Sequence, residues 1–253
     1  MSERMAGGVS GACVVCGSGN GSFFMEVENT HGAKRLSHEK FNLVKCAGCG
    51  MVHVEPVPTE EDLWGYYDAD YYRTGSRIKR CLEKAIARWN NLGNKRLIAK
   101  FHTGGRLLDI GCGRGEFLKM FCSSAWELYG VEPNKEGYAQ CIARNYAKLF
   151  NGDLISCAFN SDFFDVITMW HVFEHVRCPN KQLREIYRIL RDDGLLIIAV
   201  PNIKGMGFKL GGKHWFHLDC PRHLYHYSPR VACARAACAV NGTQARWFCI
   251  ESI

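Results

Sequence analysis

Residues 106–117, RLLDIGCGRGEF, run from an apolar stretch through three alternating glycines into an amphipathic one. A buried strand must end there, and the chain must turn through backbone conformations that glycine enters at least cost. Strand, glycine turn and helix in that order make a βα unit, and its strand needs cover on both faces. The rest of the chain repeats the pattern. "ELYGVEPN", "KLFNGDL", "FDVITMW" and "LLIIAVPN" read as strands two to five, and "ARWFCIESI" as a sixth. "GEFLKMFC", "KEGYAQCIARNYA", "PNKQLREIYRILRDDG" and "RVACARAACAVNG" read as intervening helices. In the third of these, Pro179 opens the helix, Leu183, Ile186, Tyr187 and Leu190 line one face, and Gly194 closes it. Such alternation requires a parallel sheet with right-handed crossovers, which binds ligands at the carboxyl ends of its strands.

The residues at those ends define the candidate ligand. After the first strand come Asp109, Gly111, Cys112 and Gly113; after the second, Glu132 and Pro133; after the third, Asp153; after the fourth, Trp170 and His171. The glycine spacing is G-x-G-x-G rather than the G-x-G-x-x-G of dinucleotide binders. Asp109 stands two residues before the first glycine. A carboxylate there repels a pyrophosphate but suits a ligand with an ammonium and a sulfonium, such as S-adenosylmethionine (SAM). Glu132 can accept hydrogen bonds from two ribose hydroxyls, a role equally at home with NAD. Asp153 can accept from an adenine amino group or serve only as a turn residue.

Ahead of this region lie "CVVCGS" (13–18) and "CAGCGM" (46–51), two C-x-x-C-G knuckles. Four thiolates at Cys13, Cys16, Cys46 and Cys49 can close a tetrahedral Zn²⁺ site, with no open position for substrate, so its role is structural. Between the knuckles, "SFFMEVEN" and "KFNLVKC" can pair as strands. Fourteen cysteines with no export signal at the N-terminus read as reduced or metal-bound thiols in a cytoplasmic protein. The longest apolar run, "LLIIAV", is too short for a membrane span.

After the knuckles the pattern turns helical. Thr59 and Asp62 suit a capping box, and Ile78, Leu82, Ala85, Trp89 and Leu92 recur at helical spacing. This connector is also basic, with Glu83 the only acid between Arg73 and Arg106. It is either a solvated face or a surface for an anionic partner.

"WHVFEHV" (170–176) holds His171-x-x-Glu174-His175, the inverted zincin pattern. Its setting, at the end of a buried strand with Cys178-Pro179 close behind, does not suit a zincin helix. The trio remains a candidate divalent-ion site that could orient an acceptor's oxygens. Histidines available as a general base are His171 and His175, and His217, His223 and His226 in the Gly-, His- and aromatic-rich 203–227 segment, with His171 first and His223 second.

"LLDIGCGRGEFL", "LYGVEPN", "NGDL", "FDVITMWHVFEHV" and "LLIIAVPN" together resemble the class I SAM-dependent methyltransferases, in the branch that includes the ubiquinone-pathway O-methyltransferases. "CVVCG…CAGCGMV…PTEEDLWGYY" and "WFHLDCPRHLYHYSP" resemble a zinc-ribbon subgroup tied to sugar or small-molecule methylation. The resemblance implies a Rossmann-like α/β fold in three parts: a Cys₄ zinc ribbon (1–58), a helical connector (59–102) and a SAM-dependent methyltransferase domain (103–253). It implies that Asp109, Gly111, Cys112 and Gly113 cradle the methionine part of SAM, that Glu132 and Pro133 hold the ribose and Asp153 the adenine, and that Trp170 and His171 close the site. The acceptor expected is a small molecule. An RNA acceptor would fit the ribbon and the basic connector, but no N-P-P-Y-type motif follows the fourth strand. A SAM-binding interaction protein without catalysis is the reading from another class. The family's sheet normally has a seventh, antiparallel strand; without it here, an edge is left for a partner or a second copy.

Overall fold

The structure is a computed structural model that describes residues 12–29, 40–66, 89–122, 125–232 and 246–252. Its larger sheet holds six parallel strands in the order β10-β8-β7-β4-β5-β6. These are β4 (Gly105–Ile110), β5 (Trp126–Glu132), β6 (Lys148–Asn151), β7 (Phe164–Trp170), β8 (Leu190–Pro201) and β10 (Arg246–Ser252). The order reverses between β4 and β7, which opens a crevice at their carboxyl ends. β10 pairs with β8 in parallel, and its far edge carries no strand among the described residues.

Strand alternation feeds two cores. Leu195 and Ile197 of β8 face one side with Leu107 and Val166, against Ile98 of helix α2 (89–99) and against Leu118 and Phe121. Leu196 and Ile198 face the other with Leu108 and Ile167, against Leu183, Ile186 and Tyr187 of α4 (Pro179–Ile189). Helix α3 (Lys135–Ile142) begins at Asn134, whose side chain accepts from the Gly137 amide.

Three expectations need correction. "GEFLKMFC" forms only a 3₁₀ turn, Leu118–Phe121, which seats both aromatic rings of Phe117 and Phe121 edge to face. The helix over 179–194 stops at Ile189. Leu190 is already extended and starts β8, and the polar Arg191, Asp192 and Asp193 stay exposed where the register with β7 slips. In the connector, Trp89 and Leu92 are exposed, so the buried contact of α2 comes from Ile98 instead. Ile78, Leu82, Ala85 and most of the basic run lie outside the described residues, as does most of the helix expected over 230–242. The capping box forms as expected. The Asp62 amide donates to Thr59 Oγ1 at 3.1 Å and the Thr59 amide to Asp62 Oδ2 at 3.2 Å, opening α1 (Glu60–Gly65).

The N-terminal strands β1 (Gly21–Glu28), β2 (Lys40–Cys46) and β3 (Val52–Glu55) form an antiparallel sheet. Its fourth strand, β9 (Tyr225–His226), comes from the segment after β8. Leu224, just before β9, donates its amide to the Glu174 carbonyl at 2.9 Å and accepts the Val54 amide at 3.0 Å. Cys13, Cys46 and Met51 share a core with Leu183 and Tyr225. No helix among the described residues is long and apolar enough to cross a membrane.

Leu224 is wholly buried where these parts meet. Leu224→Ala is expected to cost about 2–5 kcal/mol in urea unfolding, and to speed hydrogen exchange at the amides of Val54 and Leu224 together.

Candidate active site

The glycine loop after β4 is fixed by sterics on one side and left open on the other. Gly111, Gly113 and Gly115 all have positive φ. A Cβ on Gly111 would collide with Val172, and one on Gly115 with Cys141 and Tyr146. A Cβ on Gly113 would meet nothing within 4 Å, so this glycine borders open space. Glu132, at the end of β5, anchors the loop: its two carboxylate oxygens accept the Gly113 amide at 2.7 Å and the Asn134 amide at 2.8 Å. Each oxygen keeps a lone pair for a hydroxyl donor. Burial raises its pKa, while those two amide bonds work against the rise.

Asp109 is 2% exposed at the end of β4. Its Oδ1 accepts the Thr168 hydroxyl at 2.7 Å. Burial pushes the carboxyl up to about 7; the Thr168 bond pulls it down, and the charge on Glu132 adds to the rise. Two buried acids thus flank the glycine loop, a surrounding that favours a cationic ligand.

The other expected cofactor contacts differ in character. The Cys112 thiol points into the core, in the space a Gly130 side chain would need, so only its backbone faces the loop. Pro133 is exposed beside Glu132. Asp153 is exposed, and its Oδ1 accepts the Ser156 amide at 2.8 Å, which caps a short turn. Trp170 packs on Phe117 with ring centroids 4.9 Å apart, and its buried indole N–H has no partner among the described residues.

Beyond β7 the chain bends sharply. His171 takes a positive φ of 56°, and Phe173–His175 form one 3₁₀ turn. The histidines of H-x-x-E-H therefore do not share an α-helix face. His171 is 43% exposed, with Nδ1 3.5 Å from Glu174 Oε1 and its ring stacked on that of His217. His223 is buried, and its Nδ1 donates to the His217 carbonyl at 2.8 Å. Burial, aided by the charge of His175, pulls His223 down to about 4, so it is neutral at pH 7. Thr168 and Val172 were not singled out from sequence; a threonine inside the apolar "FDVITMW" was the available signal for the first.

In the N-terminal part of the chain the two knuckles mirror each other. The Gly17 amide donates to the Cys13 carbonyl at 2.7 Å and the Gly50 amide to the Cys46 carbonyl at 2.9 Å, with positive φ at both glycines. The sulfurs of Cys13, Cys16, Cys46 and Cys49 lie within 4.8 Å of one another. Cys13–Cys49 are 3.8 Å apart and Cys16–Cys46 3.5 Å. A tetrahedron with Zn–S of about 2.3 Å has edges of about 3.8 Å, so the set is near metal-binding geometry.

Residues 82–237 match the family described as a methyltransferase domain, well over half the chain. The chain belongs to the methyltransferase-domain family. This methyltransferase-family chain is 30% identical over 123 residues to the uncharacterised methyltransferase YcgJ of Bacillus subtilis strain 168, covering 46% of this chain and 49% of that protein. It is 26% identical over 119 residues to a ubiquinone biosynthesis O-methyltransferase of Glaesserella parasuis, covering 42% and 50%. The chain spans about half the length of the curated relatives it matches. Two solved structures share the fold of this methyltransferase domain. YcgJ aligns at 24% identity and TM-score 0.50 over 59% of this chain and 67% of that one. A SAM-dependent methyltransferase of Archaeoglobus fulgidus aligns at 23% and 0.52 over 60% and 67%.

Asp109 provides a test of the site's electrostatics. Its folded value of about 7 stands above the ordinary 3.8, so in the ligand-free protein stability falls as pH rises from about 4 to 7. That interval corresponds to on the order of 4 kcal/mol. Asp109→Asn is expected to raise the melting temperature of the ligand-free protein at pH 8, to leave it unchanged at pH 4, and to abolish SAM binding in calorimetry.

Proposed function

We propose that the chain is a SAM-dependent methyltransferase acting on a small-molecule acceptor, through O-methylation of a polar or phenolic metabolite or methylation of a sugar derivative. The observation that carries this reading is the pair of buried acids, Asp109 and Glu132, on either side of a glycine loop whose Gly113 faces open space. That donor set fits a cationic nucleoside ligand. Asp109 would neutralise its positive charge, with Thr168 fixing the carboxylate's direction. Glu132 would accept its ribose hydroxyls through the lone pairs the loop amides leave free. Trp170 would offer its unpartnered indole N–H at the border of the same crevice. When bound, SAM supplies a methyl group already activated as a sulfonium.

The chain's own contribution is then alignment and proton removal. His171 is the residue we assign to the proton. It stands at the carboxyl end of β7, is half exposed, and has Glu174 Oε1 3.5 Å from Nδ1 to orient the ring. His223, the second candidate, is a weaker base at neutral pH because it is neutral only through a value held near 4. Kinship with O-methyltransferases in name supports oxygen as the acceptor atom.

We further propose that the four cysteines bind a structural zinc ion. Burial pushes the Cys49 thiol up to about 12, and the neighbouring cysteines add to the rise. Crowded sulfurs of this kind ionise together only around a cation.

His171→Ala is expected to lower kcat about 10²–10⁴-fold while the SAM dissociation constant stays within about twofold; unchanged turnover would remove His171 from the chemistry. Stripping the zinc with a chelator is expected to speed amide exchange first in β1–β3 and β9, with the β4–β8 amides following later. Identical exchange before and after chelation would sink the structural role.

A further inference from the structure

We propose that Glu174, His175 and His223 bind a divalent transition-metal ion at the mouth of the acceptor crevice, separate from the four cysteines. One ligand atom from each lies within 4.8 Å of the other two. Glu174 is wholly buried, and neither of its carboxylate oxygens has a hydrogen-bond partner among the described residues. A carboxylate in that position is costly unless a positive charge reaches it.

His171 Nδ1 reaches only Oε1, at a long 3.5 Å, and His175 and His223 do not supply the missing donor. A carbonyl oxygen only accepts, so each ring nitrogen that meets one carries the proton. His223 Nδ1 meets the His217 carbonyl at 2.8 Å, and His175 Nδ1 meets the Arg222 carbonyl at 2.9 Å. His223 then presents Nε2 as a lone pair. His223 Nε2 stands 3.9 Å from Glu174 Oε1 and 3.7 Å from Asp219 Oδ2, so acceptor faces acceptor on both sides. The nearby guanidinium of Arg222 is engaged with Asp219 Oδ1. A cation would satisfy both oxygens of Glu174 and the Nε2 lone pair of His223 at once. A ring nitrogen tied to a backbone carbonyl while its partner ligates is also the usual outer-shell arrangement of metal-binding histidines.

The geometry needs little adjustment. Ligand atoms at about 2.0–2.2 Å from one ion lie about 3.3 Å apart. The 3.9 Å between Glu174 and His223 closes to that with sub-ångström rotations. Two imidazoles and one carboxylate select a first-row divalent ion such as Zn²⁺, Mn²⁺ or Fe²⁺ over Ca²⁺, and leave coordination positions open. His171 remains outside the trio, its ring stacked on that of His217. Resting on the proposed methyl transfer, those positions would take an acceptor with two adjacent oxygens, as in a vicinal diol or a catechol.

The test titrates Mn²⁺ alone into the full chain and reads free Mn²⁺ by electron paramagnetic resonance, since Mn²⁺ has little affinity for thiolates. The native chain is expected to bind one Mn²⁺. Glu174→Gln and His223→Gln are each expected to weaken binding about tenfold or more, with circular dichroism and S-adenosylhomocysteine binding unchanged. If Glu174→Gln fails to fold, His223→Gln decides alone. No Mn²⁺ bound by the native chain, or native affinity in a folded variant, overturns the site. Mn²⁺ binding without turnover on any acceptor leaves the site standing and removes the methyl-transfer reading instead.

Discussion

The backbone of Leu224 ties the molecule together. Its N–H and C=O, 2.9 and 3.0 Å from Glu174 and Val54, join the turn after β7 to the edge strand of the cysteine-bearing sheet. β9 then completes that sheet, and the Tyr225 hydroxyl reaches back to the Arg177 carbonyl. A small sheet of three strands has little core of its own. Here it borrows one, because Cys13, Val15 and Met51 pack with residues of α4 and β8. The knuckles therefore do more than hold their own turns. They set the position of the strand against which the 219–227 segment is laid.

That segment also carries His223, so the acceptor side we propose is assembled from three distant stretches of chain. β7 delivers His171 and Glu174, the segment after β8 delivers His217 and His223, and the N-terminal sheet holds the latter in place. The cofactor side is built more locally. Asp109, Gly113 and Glu132 come from the ends of adjacent strands; Glu132 bonds the loop and the start of α3, and Asp109 bonds Thr168 of the neighbouring β7.

This difference accounts for what sequence made legible. The parallel sheet, the glycine loop, the two acids and the cysteine knuckles are written in short stretches with fixed spacing, and each appears where the pattern puts it. The strand β9 is two residues long and pairs with residues 172 and 174 positions away; no periodicity marks it. Asp153 follows the strand where the pattern puts it, and the fold adds a local bond from the Ser156 amide to its Oδ1 that no motif announced. Helix ends were misjudged where a neighbouring strand competed for the same residues. Leu190 fits the helical repeat, but pairing with Phe164 wins it for β8. The trio at Glu174 was half visible: H-x-x-E-H contributes two members, while His223 joins only through the fold.

The β3–β9 pairing has a consequence for how such a protein can diversify. A loop that shapes acceptor choice is usually free to vary, because it touches nothing else. Here the same segment is a strand of another sheet, so a change of length within 219–227 shifts its register against Val52 and His53. Under the proposed function, new acceptor ranges should therefore arise by exchanging the loop and the cysteine sheet as one heritable unit. A chimera that swaps either one alone pairs a strand with the wrong edge.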